Sequence, residues 1–432
     1  MPDRYIHLNT GTTGSQPRFS LVNLAVYNLY KSLDPRDWEA NLNAAFPDLF
    51  PVVTSASGAL SGVAARQAAI AAQYGANADE IVLSYNTTDA SNLIFAGTPW
   101  SAGDRIITTH WEHPALRGPT AWARDQFGVE VREIGLPSRF TRDITREDVL
   151  GLFEEELERP LPPGAKQYVA VSEIFYKTGL RLPIEELSAL ARSHGAYTII
   201  DAAHGWGQRP IDAHAYGADF IAGAGHKWLC GGPGTGILYV RNSGPDLPPF
   251  LLGNFFQYAS VDAQERAYAP ASAIQPRGEA NTPALYAMTD SAAFLGQIGL
   301  QDIYERGLAL ARHLRRRVAA RWGRRALWVE DHPDPAFATA LTSFNPFVGR
   351  EDSSQFAALN AALGGVLRAL ASERPKIYLR TTTWRDQPSD VADNRVGFRI
   401  STHGLYNTFE EIDYVLERLA AAVDATGLPQ LS

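Results

Sequence analysis

Residues 197–227 read YTIIDAAHGWGQRPIDAHAYGADFIAGAGHK, and two polar groups within this stretch decide the fold. One is the group 201–204 (DAAH) and the other is the group 225–227 (GHK), and each follows a run of apolar residues. Neither run alternates apolar with polar residues, which is typical of strands buried on both faces of a parallel sheet. Because ligand-binding groups gather at the carboxyl ends of such strands, we expect Asp201 and Lys227 to lie in one site.

The same pattern of buried strands and intervening helices extends over about 50–245. Six apolar runs predict strands there, at 81–83, 105–107, 168–171, 197–200, 219–222 and 236–240. Between two of them, residues 184–191 place apolar side chains on one face at helical spacing, with Pro183 at the start and Gly195 after the end. Alternating strands and helices predict an α/β fold whose sheet is mostly parallel.

The pattern changes after about residue 285, where amphipathic stretches such as 292–318 precede a strand-like run at 396–400. A chain of 432 residues is too long for one small core. We therefore predict a large α/β domain at 26–289 and a smaller α+β domain formed by 1–25 and 290–432.

Composition and charge exclude several classes of protein. The net charge is −8 and there is no basic patch, so nucleic acid is not expected as a partner. No run approaches the roughly 18 apolar residues of a membrane span, and the N-terminus lacks a signal-peptide pattern, so we expect a cytoplasmic protein. The single cysteine, Cys230, can form no intrachain disulfide, and no cysteine or histidine cluster predicts a metal site.

Several residue types in this arrangement suit pyridoxal 5′-phosphate (PLP). The Lys227 amine can form a Schiff base with the cofactor aldehyde, and the Asp201 carboxylate can keep the pyridine nitrogen protonated. Thr87 and Thr88 follow a predicted strand and open a predicted helix, where hydroxyl and backbone N–H donors bind phosphate. His113 is a candidate to stack on the ring. The sequence therefore predicts a PLP enzyme that acts on an amino acid.

Residues 168–241 resemble the class V aminotransferase superfamily of PLP fold type I, which includes cysteine desulfurases, isopenicillin N epimerase-like enzymes, C–S lyases and kynureninases. Segments at 7–11, 86–88, 112–113 and 399–408 resemble the family pattern in the same order, so the resemblance covers nearly the whole chain. It implies a large domain with a mostly parallel, seven-stranded sheet, a smaller α+β domain and an amino-acid substrate.

The resemblance also implies a role for each candidate residue. The implied cofactor-binding residues are Lys227 (Schiff base and proton shuttle), Asp201 (pyridine nitrogen), His113 (ring face), His204 (ring hydroxyl), and Thr87, Thr88 and His226 (phosphate). Arg399 is the implied ligand of the substrate α-carboxylate, a bidentate task that suits a guanidinium, and Asn9 is assigned with it to substrate binding. Thr282 resembles a threonine that reaches the phosphate of the neighbouring subunit, which implies a homodimer with shared sites.

Departures from the family pattern bear on the reaction. Cysteine desulfurases need a nucleophilic cysteine on a lid loop, whereas the predicted lid at 380–386 has none and Cys230 lies three residues after Lys227. This argues against a desulfurase that forms a persulfide and favours β-elimination from a cysteine S-conjugate, the reaction of a C–S lyase. A decarboxylating oxidative deaminase and an epimerase of the same family are the alternatives, and transamination is less favoured. Ala224 and Asn281, where the family usually has serine and glycine, would suit a binding protein that has lost catalysis.

The side chain of the substrate would meet the segments 250–275 and 376–390. Their aromatic and basic residues predict an aromatic-lined pocket with some positive charge, from Phe250, Phe255, Phe256, Tyr258, Tyr378, Trp384 and Arg385. The loops predicted at 243–280 and 381–395, rich in Pro, Gly, Asp and Arg, could cover the site.

Overall fold

The computed structural model describes residues 5–46, 53–55, 58–60, 62–137, 139–249, 274–275, 278–385 and 394–432. The strands in these ranges are β1 (Tyr5–His7), β2 (Val53–Ser55), β3 (Gly58–Leu60), β4 (Ile81–Ser84), β5 (Arg105–Thr109), β6 (Glu130–Ile134), β7 (Gln167–Ser172), β8 (Tyr197–Asp201), β9 (Phe220–Ala224), β10 (Gly236–Val240), β11 (Leu341–Phe344), β12 (Lys376–Tyr378), β13 (Arg380–Arg385) and β14 (Asn394–Ser401). The α-helices are α1 (Arg18–Leu33), α2 (Trp38–Ala45), α3 (Gly62–Gln73), α4 (Thr87–Gly97), α5 (Pro114–Phe127), α6 (Arg146–Leu157), α7 (Ile184–Ser193), α8 (Ala213–Tyr216), α9 (Thr282–Ile298), α10 (Leu300–Trp322), α11 (Phe356–Ser372) and α12 (Phe409–Asp424).

Seven strands form the central sheet in the order β4-β10-β9-β8-β7-β5-β6. Neighbouring strands from β9 to β6 are parallel, whereas β10 runs antiparallel to both β9 and β4. The strands are buried on both faces: in β4, Ile81 and Leu83 join one apolar cluster and Val82 joins another. The predicted seven-stranded, mostly parallel sheet is therefore confirmed.

The helix α7 shows how local sequence builds this sheet. Pro183 precedes the first helical residue, and Ile184, Leu187 and Ala191 are buried on one face against the sheet cluster. Gly195 ends the unit with φ +67°, a left-handed conformation that glycine adopts without a steric cost. The chain then enters β8, as the sequence pattern predicts.

A second, three-stranded sheet has the order β11-β14-β13 and is antiparallel. Side chains of β14, including Phe398 and Ile400, join an apolar cluster with residues of α10, α11 and α12. The strand β1 pairs in parallel with β12, and Ile6 belongs to the same cluster. The predicted domain boundaries at 25/26 and 289/290 fall inside α1 and α9, which are joined by a hydrogen bond from Asn23 to Asp290. The division into two domains stays a prediction.

The amphipathic pattern at 292–318 suggests one continuous helix, but the structure has two helices there. The helix α9 ends at Ile298 and α10 begins at Leu300. Gly299 between them has φ +109°, which interrupts the helical backbone. The apolar periodicity continues through the break because both helices pack on the core.

The predicted lid at 380–386 is wrong over its first six residues, which form the strand β13. It pairs antiparallel with β14 from Arg380 opposite Arg399 to Arg385 opposite Asn394. Thr382 and Trp384 are the buried side chains of β13, but three consecutive residues of the strand are threonines, so the alternation is hardly visible in the sequence. This part of the chain is a fixed wall of the molecule.

The strands β4, β5, β7, β8 and β9 all run in one direction, so their carboxyl ends meet at one edge of the sheet. One residue of interest follows or ends each of these five strands, in the order Thr87, His113, Tyr176, Asp201 and Lys227. The order of elements therefore brings distant parts of the chain to one place. Among the helices of the described ranges, none combines the length and the apolar character needed to cross a membrane.

Candidate active site

A pocket of about 340 Å³ lies at this edge of the sheet. It is lined by Gly11, Thr12, Asn86, Thr87, Thr88, His113, Ala115, Tyr176, Asp201, Ala203, His226, Lys227, Arg380 and Arg399. Seven of the ten candidate residues from the sequence belong to this set, namely Thr87, Thr88, His113, Asp201, His226, Lys227 and Arg399. The other three are Asn9, His204 and Thr282.

Lys227 follows β9, and its Nζ lies 3.5 Å from Nε2 of His204. Burial lowers the pKa of the Lys227 amine to about 8, although Asp201 acts in the opposite direction. His204 is buried and does not line the pocket, and its Nδ1 accepts a hydrogen bond from Nε1 of Trp228 at 3.1 Å. Burial and Lys227 hold the pKa of His204 well below its usual range. Near neutral pH, far more of the Lys227 amine is unprotonated than in an ordinary lysine.

Asp201 ends β8, where it lies opposite Ser172 of β7. Its Oδ1 accepts a hydrogen bond from the backbone N–H of Ala203 at 2.9 Å. Burial raises the pKa of the Asp201 carboxyl, and the positive charge of Lys227 opposes this shift. A second buried carboxyl, that of Glu112, accepts from Ser172 N at 2.9 Å, and burial raises its pKa to about 8. A protonated pyridine nitrogen would give the Asp201 carboxylate a further positive partner.

His113 occupies the position before α5, and its Nδ1 accepts a hydrogen bond from the backbone N–H of Ala115 at 3.1 Å. The following residue, Pro114, suits the first position of a helix. The ring of His113 meets the ring of Tyr176 edge to face at 4.8 Å between centroids. Burial, followed by the charges of Lys227 and other cations, lowers the pKa of His113 to about 4. His113 therefore presents a neutral, oriented ring to the pocket.

The opposite side of the pocket is the start of α4. Asn86 caps this helix by accepting from Asp89 N, which leaves the backbone N–H groups of Thr87 and Thr88 outside the helical ladder. The Thr87 side chain is buried, and its hydroxyl has no hydrogen-bond partner among the described residues. His226 also lines this pocket. Uncompensated donors at a helix start fit an anionic phosphate, so the residues present suit PLP.

Arg399 of β14 also lines the pocket. Its Nη1 donates to the carbonyl oxygen of Tyr176 at 2.8 Å, and its Nη2 donates to Oγ1 of Thr12 at 2.7 Å and to Oδ1 of Asn9 at 3.2 Å. Burial, followed by the charge of Arg380, lowers the pKa of Arg399 to about 9. Asn9 thus contacts the guanidinium and does not itself line the pocket. A carboxylate bound here would offset the cost of burying this charge.

Thr282 does not line the pocket of its own chain. Its hydroxyl accepts a hydrogen bond from Nζ of Lys31 at 3.1 Å at the start of α9. Asn281, where the family usually has glycine, caps the same helix by accepting from Ala284 N. The cross-subunit role of Thr282 and the homodimer that it implies stay predictions.

The predicted aromatic lining is not found at its two described members. Trp384 is buried against Trp328, with ring centroids 4.9 Å apart, and Tyr378 is exposed on β12. Neither side chain lines the pocket, because the register of β12 and β13 directs both of them elsewhere. The aromatic residues predicted at Phe250, Phe255, Phe256 and Tyr258 lie outside the described residues. Arg385 is half-buried at the end of β13, outside the lining set.

Four polar residues that line the pocket were not among the candidates from the sequence, namely Thr12, Asn86, Tyr176 and Arg380. Thr12 follows the N-terminal segment that resembles the family, and Tyr176 follows β7, so both positions carried a signal. Arg380 lies directly opposite Arg399 in the β13–β14 ladder. That register is a long-range feature, which no local pattern reveals.

Cys230 is buried and does not line the pocket. Burial raises the pKa of its thiol to about 12, so the nucleophilic thiolate is scarce near neutral pH. Among the described residues, no three His, Cys, Asp or Glu side chains gather into a group that could hold a metal ion.

Residues 52–415 match the family model described as Aminotransferase class-V. A probable cysteine desulfurase 2 of Mycobacterium leprae is 33% identical over 253 residues, which cover 56% of this chain and 57% of that protein. A probable cysteine desulfurase of Methanothermobacter thermautotrophicus is 27% identical over 273 residues, covering 62% and 63%. The chain thus spans less than two thirds of the length of each of these relatives.

Two solved structures share the fold over nearly the whole chain. The cystine C–S lyase C-DES, in complex with its reaction product cysteine persulfide, has a TM-score of 0.69 at 20% identity and covers 96% of this chain and 97% of that one. The cysteine desulfurase CsdA of Escherichia coli has a TM-score of 0.70 at 19% identity, covering 98% and 94%. The predicted fold and cofactor are confirmed. Because the family model covers most of its length, the chain belongs to the class-V aminotransferase family, whose cofactor is pyridoxal 5′-phosphate.

Proposed function

We propose that the chain catalyses β-elimination on a cysteine S-conjugate, with release of a thiol, pyruvate and ammonia. The observation that carries this proposal is that Lys227 and Arg399 line one pocket, while the only cysteine of the chain is buried outside it. Relatives named as cysteine desulfurases and a structural neighbour named as a cystine C–S lyase support chemistry at the C–S bond of a cysteine derivative.

Five side chains of the pocket would hold the cofactor. Lys227 would hold it covalently, Asp201 would accept a hydrogen bond from the pyridine nitrogen, and His113 would lie against the ring. Thr87 and His226 would bind the phosphate, with the backbone N–H groups at the start of α4. Pyridoxal phosphate, when bound, supplies the electron sink that makes the Cα proton of an amino acid removable.

The remaining chemistry falls to residues of the chain. Arg399 would bind the substrate α-carboxylate, since its contacts to Tyr176 and Thr12 fix the guanidinium at the pocket wall. Lys227 would take the Cα proton, because its lowered pKa leaves an unprotonated amine near neutral pH. The Cβ–S bond then breaks, the sulfur leaves as a thiol after gaining a proton, and the three-carbon unit is hydrolysed to pyruvate and ammonia.

The state of Cys230 favours elimination over transfer of sulfur to the protein. A desulfurase that forms a persulfide needs a reactive thiolate close to the substrate. The Cys230 thiol is buried, and its Sγ lies 3.7 Å from the Trp228 carbonyl oxygen and 3.9 Å from His403 Nε2. Burial also raises its pKa to about 12. The sulfur would therefore be released as a thiol and would not be transferred to Cys230.

The test is incubation of the PLP-loaded protein with S-alkyl-L-cysteines, followed by separate assays of thiol and pyruvate. We expect equal amounts of both products from the wild type and from Cys230→Ala, and neither product from Lys227→Ala. Exchange of the Cα hydrogen with solvent deuterium without release of thiol would contradict elimination and favour an epimerase. Loss of thiol release in Cys230→Ala, with retained PLP binding, would contradict the passive role of this cysteine.

A further inference from the structure

The pocket contains a second guanidinium beside that of Arg399. Nη1 of Arg380 donates to Oγ1 of Thr12 at 3.2 Å, and the same hydroxyl oxygen accepts from Nη2 of Arg399 at 2.7 Å. Both arginines line the pocket, and they are directly opposite each other in the β13–β14 ladder. A single guanidinium can bind one carboxylate through two hydrogen bonds. The pocket therefore holds more positive charge than an α-carboxylate requires.

Lys177 is a third cation beside the pocket; it is not among the residues that line the pocket, but its charge acts on His113, which is. Its Nζ lies 5.2 Å from the centroid of the Tyr176 ring, and that ring lines the pocket and contacts His113. The Tyr176 carbonyl is the group that Arg399 binds at 2.8 Å. Arg380 and Arg399 thus share Thr12, and Arg399 and Lys177 both contact Tyr176.

No carboxylate in the described part of the chain forms an ion pair with Lys177 or Arg380. Burial, followed by the like charges of Arg117 and Arg385, lowers the pKa of Lys177 to about 8. The buried carboxyls nearest the pocket serve other partners, since Asp201 accepts from Ala203 N and Glu112 accepts from Ser172 N. Cations gathered without counter-charges destabilise one another, and a bound anion would offset that cost.

We propose that the substrate carries a second anionic group at the far end of its sulfur substituent, and that Lys177 and Arg380 bind it while Arg399 binds the α-carboxylate. The inference rests on the proposed C–S lyase function and narrows its substrate class to cysteine S-conjugates whose substituent ends in a carboxylate. Arg117, exposed one helical turn after His113, does not line this pocket, but its charge acts on Lys177.

The test compares two ligands of nearly equal shape, S-carboxymethyl-L-cysteine and S-carbamoylmethyl-L-cysteine, which differ in one negative charge. The carboxylate can form a hydrogen-bonded ion pair with Lys177 and Arg380, whereas the neutral amide cannot. We therefore expect the kcat/KM of the wild type to be about tenfold or more higher for S-carboxymethyl-L-cysteine. Lys177→Gln should bring the two values close to parity, and Lys177→Arg should restore the preference. Lys376→Gln is the matched control, because Lys376 is exposed on β12 and does not line the pocket. It should keep the wild-type preference.

Equilibrium binding separates this proposal from the proposed function. The dissociation constants of both ligands are measured from the absorption change of the bound cofactor, which does not depend on product release. Tighter binding of the carboxylate that Lys177→Gln abolishes would support the anion subsite even if no thiol is ever released. Equal binding of the two ligands to the wild type would overturn the subsite, even if both release thiol. A preference that persists in Lys177→Gln and in Arg380→Gln would also overturn it.

Discussion

Replacement of Thr87 by valine tests whether the Thr87 hydroxyl binds the cofactor or stabilises the fold. The side chain is 6% exposed and lines the pocket, and its Oγ1 has no hydrogen-bond partner in the described part of the chain. Valine has nearly the same shape and lacks the hydroxyl. In the cofactor-free protein the substitution removes no hydrogen bond, so we expect an unchanged or slightly raised Tm.

The cofactor should respond differently. A hydrogen bond from a hydroxyl to a charged phosphate contributes about 1.5–3 kcal/mol, which corresponds to about a 10- to 150-fold weaker affinity for PLP in Thr87→Val. Equilibrium dialysis of the cofactor-free protein against PLP measures this change, and differential scanning fluorimetry of the same protein measures its Tm.

Thr342→Val is the matched control for this experiment. Thr342 lies in β11, is 1% exposed, and its hydroxyl also has no partner among the described residues, but it does not line the pocket. We expect its Tm to behave as in Thr87→Val and its PLP affinity to stay at the wild-type value. A Tm several degrees lower in Thr87→Val with unchanged PLP affinity would refute the phosphate role.

Two further predictions concern the substrate contact of Arg399 and the protonation of the Lys227 amine. Arg399→Gln should remove the preference of the PLP-loaded protein for an L-amino acid over the matching amine without a carboxylate, because loss of a buried charged partner costs about 2–5 kcal/mol, roughly 30- to 5,000-fold in affinity. Arg316→Gln, an exposed position on α10, is its control, and retention of the preference in Arg399→Gln would contradict the assignment. The rate at which the cofactor-free protein takes up PLP should rise with pH and level off above about 8, because burial lowers the pKa of the Lys227 amine to about 8 and only the unprotonated amine is nucleophilic. Stopped-flow absorbance checks this profile, and a midpoint near the ordinary lysine value would contradict it.

The strand ends were predictable because their signals are local. Asp201 and Lys227 each follow an apolar run, and the direction of parallel strands is enough to bring their ends together. Thr87 and His113 follow the same rule at the ends of β4 and β5. A pattern of a few residues was therefore enough to predict that these side chains line one pocket.

The substrate side depends on long-range register and on close backbone contacts. Arg380 reaches the pocket only because β13 pairs with β14, and threonine-rich β13 conceals its own alternation. The N-terminal segment reaches the site through Gly14, whose N–H donates to the His226 carbonyl at 2.8 Å. A Cβ on Gly14 would lie 1.9 Å from the Lys227 carbonyl oxygen, so only glycine fits there. No local pattern in the sequence encodes these contacts.

The central claim, that Lys227 holds the cofactor, is tested most directly by borohydride reduction of the PLP-loaded protein followed by peptide mass spectrometry. The account predicts a visible absorption band that reduction abolishes, and one phosphopyridoxyl group per chain on Lys227. It also predicts neither band nor label in Lys227→Ala. Lys177 is an internal competitor, because burial and nearby cations lower its pKa to about 8 as well. A label on Lys177 in the wild type, or a band that survives in Lys227→Ala, would contradict the claim.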